Sequence, residues 1–289
     1  MFSETRIQHF FYTARSLYRK VSPFSSVRDS DLPFDESALN EELKAQGFTL
    51  EEYRIDLDDF SRWKRSTLAL YPSAYRTGYG SYFEEKCLEH YLSLQLAPIG
   101  EESVVIDVAN AGSPFPHVAS ALGATVYQND LIFPPGARRI GERIHEVGGT
   151  ACDMPLPDNF ADLMVLHCAF EMFEGAQDGL LIREARRVLK PSGTMVVVPL
   201  YLSATHHIFC DLGVSRAGCH YDEGAKIIYS PGFHGARFAR FYDADALRRR
   251  VLHHSHGLEM KILYCCNVEE LSPDRSTLYL RYVGLFQKH

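Results

Sequence analysis

The chain has 289 residues, of which 46% are hydrophobic and 23% charged, an ordinary globular composition long enough for one large domain or a core with an accessory piece. A formal charge of -7 and a pI of about 6.0, with no basic stripe, exclude a nucleic-acid duplex as the expected partner. Seven cysteines with no C-x-x-C spacing, no signal peptide and no run of roughly 18 apolar residues predict reduced thiols in a cytoplasm and no membrane span.

From the N-terminus, Ile7, Phe10, Phe11, Ala14, Leu17 and Tyr18 recur at helical spacing and predict an amphipathic helix from Ser3 to Lys20. Pro23, Pro33 and several serines make the next stretch, to Phe34, a loop. A short helix follows from Asp35 to Gln46, stopped by Gly47. Thr49 with Glu52 three residues on has the form of a capping box, predicting a third helix with Leu50, Tyr53, Leu57 and Phe60 on its apolar side. Tyr71 to Gly80, with Pro72 and Gly78, reads as an aromatic loop. Ser81 to Leu96 reads as a helix with Phe83, Leu88, Tyr91 and Leu92 inward, ended by Pro98 and Gly100. Residues 1–98 therefore form an expected helical cap.

The texture changes at residue 99. Val104-Val105-Ile106 is a short β-branched run of the kind buried on both faces of a sheet. Strand-like runs recur at Thr125 to Gln128, Leu163 to Leu166 and Thr194 to Leu200. A helix from Asp178 to Lys190 is closed by Pro191-Ser192-Gly193. Such alternation predicts a parallel sheet with right-handed crossovers. Asp243 caps a helix running to Leu252. Leu258 to Cys265 and Leu278 to Phe286 alternate, predicting two adjacent strands.

The chemistry concentrates where these strands end. Asp107 closes the first strand, at the position where doubly wound sheets bind ligands, and the small residues Ala109 to Ser113 follow it. An ordinary turn with an incidental aspartate explains that segment equally well. Asp130 ends the second strand, placed to accept from a ribose. Asp153 lies in the loop after the third strand, and His167 ends the fourth.

The order of Asp107, Asp130, Cys152-Asp153-Met154, the run Pro155 to Asp162 (PLPDNFAD) and Arg183 to Gly193 (REARRVLKPSG) resembles the class I methyltransferase superfamily, close to its small-molecule type. The resemblance covers about residues 99–289. It implies an α/β fold with a Rossmann-like, seven-stranded, mostly parallel sheet behind the cap, S-adenosyl-L-methionine as cofactor and a small-molecule methyl acceptor. It also implies roles. Asp107 and the turn Val108, Ala109, Asn110 and Ala111 hold the methionine end. Asp130, with Leu131 beside it, accepts from the ribose, and Asp153 from the adenine amino group, with Cys152 and Met154 near the ring. His167 borders the sulfonium. The sequence departs from the family at two places: Ala109-Asn110-Ala111 replaces the usual G-x-G, and Pro134-Pro135-Gly136 leaves the helix after the second strand short or missing.

Other constellations carry less. His206, His207, Cys210, Cys219 and His220 have zinc-binding types without regular spacing, so no metal is expected. His253, His254 and His256 sit at a helix end, where the dipole favours histidine. Glu171 lies four residues after His167 and shares its face if that segment is helical, giving a possible general base; a pocket-shaping His167 is the competing reading. Tyr71, Tyr75, Tyr79 and Tyr82 either roof the acceptor site or pack within the cap. No G-x-S-x-G elbow is present, and the absence of G-x-G-x-x-G disfavours a nicotinamide oxidoreductase. A non-catalytic descendant of the fold, acting as a binding or partner subunit, is the alternative to an enzyme. The cap's aromatic loop and the stretch from Tyr201 to Phe241 are expected to meet over the cofactor and enclose the acceptor.

Overall fold

The computed structural model describes residues 34–110, 112–210, 219–229 and 237–289. The helix expected at Ser3 to Lys20 lies outside them. Helix α1 (Glu36–Ala45) begins where Asp35 accepts a hydrogen bond from the Ala38 amide, and it buries Leu39 and Leu43. The Thr49 segment is not a helix. It is strand β1 (Thr49–Tyr53), paired in parallel with strand β10 (Leu258–Cys265). The run Thr-Leu-Glu-Glu-Tyr reads equally well at a period of two, and a free sheet edge supplied the hydrogen bonds a helix would have made internally. The helix start signal is Asp56 instead, whose side chain caps the N-terminus of helix α2 (Leu57–Thr67) by accepting from the Asp59 amide. Residues expected as an aromatic loop form helix α3 (Ser73–Tyr79), which begins directly after Pro72. Helix α4 (Phe83–Leu96) follows, with residues 85–94 all buried.

The main sheet has eight strands in the order β1-β10-β11-β6-β5-β2-β3-β4. Its parallel centre is β2 (Val104–Val108), β3 (Thr125–Arg139), β4 (Ile144–Gly148), β5 (Ala161–His167) and β6 (Leu189–Val198). Strand β11 (Tyr282–Lys288) is antiparallel to both β6 and β10. This is the expected seven-strand arrangement with β1 added at its edge. Helices α5 (Phe115–Ala121) and α6 (Gln177–Val188) are crossovers within the parallel part. No helix separates β3 from β4. β3 runs on past Asp130 and folds back on β4 through an irregular register, and the carbonyl of Pro134 lies so close to Gly148 that a Cβ there would meet it at 1.9 Å.

The sequence motifs fix the loops that carry the site. Glu184 accepts from the Met154 amide at 2.7 Å, while Arg187 donates to the carbonyls of Met154 and Leu156 at 3.0 and 2.7 Å. Thus REARR on α6 holds the MPLPD loop between β4 and β5. Lys190 and the Val104 amide both donate to Asp162, joining β5 to its neighbours.

Between β6 and helix α7 (Ala244–Arg250), the chain builds a separate three-stranded sheet of β7 (His207–Cys210), β8 (Lys226–Tyr229) and β9 (Ala239–Phe241). Arg240, fully buried, ties it down: it donates to Asp222 at 2.6 and 2.8 Å and to the carbonyls of Phe173 and Gly175, and lies 3.1 Å from Asp178.

Candidate functional site

Parallel pairing of β2 with β3 and β5 brings Asp107, Asp130 and His167 to one carboxyl edge. Asp107 is 1% exposed and faces inward. The Asn110 side-chain amide donates to it, and the ring of His167 lies 3.6 Å away. Burial, then the charge of Asp130, pushes Asp107 up to about 7 against the pull of the Asn110 hydrogen bond. Burial and then Lys86 hold His167 down to about 3. Asp107 and His167 are therefore not an ion pair; desolvation drives both toward their neutral forms.

His167 is not open to the edge. Its ring is wedged between Phe115 and His90, with centroids at 4.5 and 4.7 Å, and its Nε2 shares a 2.8 Å hydrogen bond with Ser93. Both Ser93 and His90 belong to α4, which lies over the ring. Nor do His167 and Glu171 share a helical face, because Cys168 has a φ of 47° and reverses the chain before the short turn at Phe170–Met172. His90, held neutral by burial, bonds Tyr71 at 2.8 Å and Ser113 at 3.3 Å, so α4 also braces the turn after β2.

In that turn Ala109 is exposed with a φ of 52°, the left-handed region where glycine is at ease. The backbone shape of the missing glycine is kept, at the cost of a strained alanine. Val108 is core, Asn110 bonds both Asp107 and the Gly112 amide, and Ala111 lies outside the described residues. Asp130 accepts from the Ile132 amide at 3.1 Å, and Leu131 beside it is 77% exposed. The Asn129 side chain donates to the carbonyls of Val147 and Gly149, anchoring the start of the loop that holds Cys152, Asp153 and Met154. Of these, Asp153 is exposed, Met154 is buried in the core and Cys152 is half-buried with its thiol on the Gln177 carbonyl. An exposed small-residue turn between two strand-end aspartates fits a cationic nucleoside, which needs close backbone approach and several acceptors.

A second group, missed in the sequence, adjoins this edge. Lys86 on α4 donates to Glu89 at 2.6 Å, to the Cys168 sulfur at 2.7 Å and to Tyr279 at 3.2 Å, and lies under the rings of Tyr79 and Tyr279. Cys168 also contacts Glu89 and Tyr201. The α3 aromatics and the segment after β6 thus meet at the end of β5. A cavity of about 270 Å³ opens beside them, lined by Tyr201, Leu202, Ser203, Phe241, Tyr279 and Arg281 among others. The signal was present in the sequence: Lys86, Glu89, His90 and Ser93 repeat at helical spacing on one helix. The histidine and cysteine cluster of the small sheet is dispersed, with His206 on Asp222 and His207 on the Thr205 carbonyl.

The family model described as a methyltransferase domain matches residues 106–197. No curated protein matches the chain. Among solved structures, the chain is similar to the 1,6-didemethyltoxoflavin-N1-methyltransferase of Burkholderia thailandensis at 13% identity, over 82% of this chain and 92% of that one, with a TM-score of 0.50. It is also similar to an S-adenosylmethionine-dependent methyltransferase of Methanosarcina mazei (13% identity, 66% and 94% coverage, TM-score 0.41). A third is phosphoethanolamine N-methyltransferase 2 of Haemonchus contortus (12% identity, 78% and 59% coverage, TM-score 0.43). The fold is that of the class I methyltransferases. Residues 106–197 of the chain match a methyltransferase domain. No helix among the described residues is long and apolar enough to cross a membrane.

Proposed function

We propose that the chain methylates a small molecule, with the cofactor bound along the carboxyl edge of β2, β3 and β4 and the acceptor enclosed between α3–α4 and the segment after β6. The observation that carries this reading is the meeting of Tyr79, Lys86, Cys168 and Tyr201 beside the Asp107–Asp130 edge. The cofactor supplies an electrophilic methyl group on a sulfonium. The backbone from Val108 to Ala111 holds its methionine end, Asp130 accepts from the ribose hydroxyls, and Asp153 accepts from the adenine amino group, with Leu131, Cys152 and Met154 near the ring. Asp107 and His167 act from beneath, by fixing Asn110 and the turn. Tyr79 and Tyr201 exclude water and align the acceptor, which is the main requirement of methyl transfer.

We keep residues 1–98 as a cap on a catalytic domain of 99–289, with α4 as the part of the cap that reaches the site and β1 as the part that joins the sheet. A cytoplasmic setting suits the seven free cysteines. Asp130→Ala tests the cofactor assignment: a lost charged hydrogen bond of roughly 1.5–3 kcal/mol weakens S-adenosylhomocysteine binding by about 10-fold or more in calorimetry. Unchanged affinity rejects the assignment.

A further inference from the structure

Two carboxylates in the second group are only partly used. Glu89 is fully buried; its Oε1 takes Lys86 and Cys168, but its Oε2 has no hydrogen-bond partner. Glu171 is 7% exposed, and its Oε2 is buried without a partner as well. Leaving a buried carboxyl oxygen unsatisfied is costly, so two beside a ligand edge call for donors that the protein itself does not provide. The groups around them are Lys86 and Glu89 from α4, Cys168 and Glu171 from the loop after β5, Tyr201 from the segment after β6 and Tyr279 from the approach to β11. Tyr201 and Tyr279 stack at 6.0 Å and form an aromatic wall shared with the cavity.

We propose that Glu171 and Glu89 recognise a methyl acceptor that carries its N–H or O–H on a planar ring, and that Glu171 takes the proton which methylation displaces. This rests on the reading of the site given above. In the step, the acceptor nitrogen or oxygen forms a bond to the methyl carbon and the carbon–sulfur bond breaks. Its electron pair stays on sulfur and discharges the positive charge. The proton left on the acceptor passes to the Glu171 carboxylate. Burial raises Glu171 to about 8, the range of a base able to take that proton near neutral pH. Lys86 is a positioning residue: it holds Glu89 and Cys168 in place.

The probe pair is phenol and its methylated counterpart anisole, titrated by ligand-observed NMR with S-adenosylhomocysteine present. The wild-type protein is expected to prefer phenol at least fivefold, and the preference to grow from pH 7 to 8.5 as Glu171 ionises. Glu171→Leu is expected to lose the preference while its melting temperature rises by about 2 °C or more, since an unpaired buried carboxyl is replaced by an apolar side chain of similar size. Glu171→Gln keeps an acceptor oxygen but cannot ionise, so it should keep a preference that no longer changes with pH. Equal binding of the two probes, or of neither, overturns the proposal. So does a falling melting temperature in Glu171→Leu, which makes the carboxyl structural. S-adenosylhomocysteine should raise the melting temperature of the wild type and both variants. If it fails to do so in the wild type, the cofactor reading is at fault rather than the subsite.

Discussion

At the scale of single residues, the site keeps backbone shape where it has changed side chains. Ala109 holds the left-handed conformation its position demands, which costs an L-residue about 1–2 kcal/mol. Ala109→Gly should therefore stabilise the protein by about 0.5–1 kcal/mol after the entropy of a more flexible unfolded chain is subtracted, visible as a higher midpoint in urea. A midpoint that falls instead shows that the Ala109 methyl makes a contact worth more than the strain. Asp107 gives a pH test. Its folded pKa, about 7, lies above the unfolded value near 4. The folded state thus binds the extra proton, and the stability this contributes is complete below about pH 4 and lost as pH rises to about 7. His167, depressed to about 3, contributes in the opposite sense, gaining stability as pH rises toward its unfolded value. Asp107→Asn should remove the first trend and leave the second, so stability measured in urea rises more steeply from pH 4 to 6.5 than in the wild type. An unchanged slope means Asp107 is ionised throughout. None of this was legible beforehand. The sequence identifies Asp107 as a strand-end acid, but which way its carboxyl points depends on Asn110, Ser93 and His167, three residues brought together only by the fold.

Elements were legible where periodicity and caps agreed. The parallel strands, α1, α4, α6 and the Asp243-capped α7 lie where apolar spacing and capping residues place them. Thr49–Tyr53 was misread because a five-residue stretch satisfies both a capping box and a two-residue period. The open edge of β10, more than 200 positions away in the chain, decided between them. The aromatic stretch became α3 because Pro72 before it starts a helix as readily as it ends one. The small sheet of β7, β8 and β9 depends on Arg240 rather than on its own short strands. Arg240→Met leaves Asp222 and Asp178 buried with fewer cations, a loss of about 3–5 kcal/mol. Far-ultraviolet circular dichroism during heating should show it as a much lower melting temperature. A change below about 1 kcal/mol shows that Arg250, which also reaches Asp178, carries the network alone.

At the scale of the whole molecule, the fold was readable because the β4–β5 loop and α6 are coupled. PLPDNFAD and REARR occur together because Glu184 and Arg187 hold that loop, so the two motifs support each other as evidence. The acceptor side was not readable, because it is assembled from α3, α4, the end of β5 and the segments after β6 and before β11, five places with no shared motif. Calorimetric titration of the purified chain with S-adenosylhomocysteine, and separately with NAD, tests the central claim most directly. The account predicts one saturable site for S-adenosylhomocysteine, stabilising the fold by about 2.7 kcal/mol at 100 times its Kd, and no heat with NAD. No heat with S-adenosylhomocysteine at millimolar concentration, or binding of NAD in its place, would contradict it.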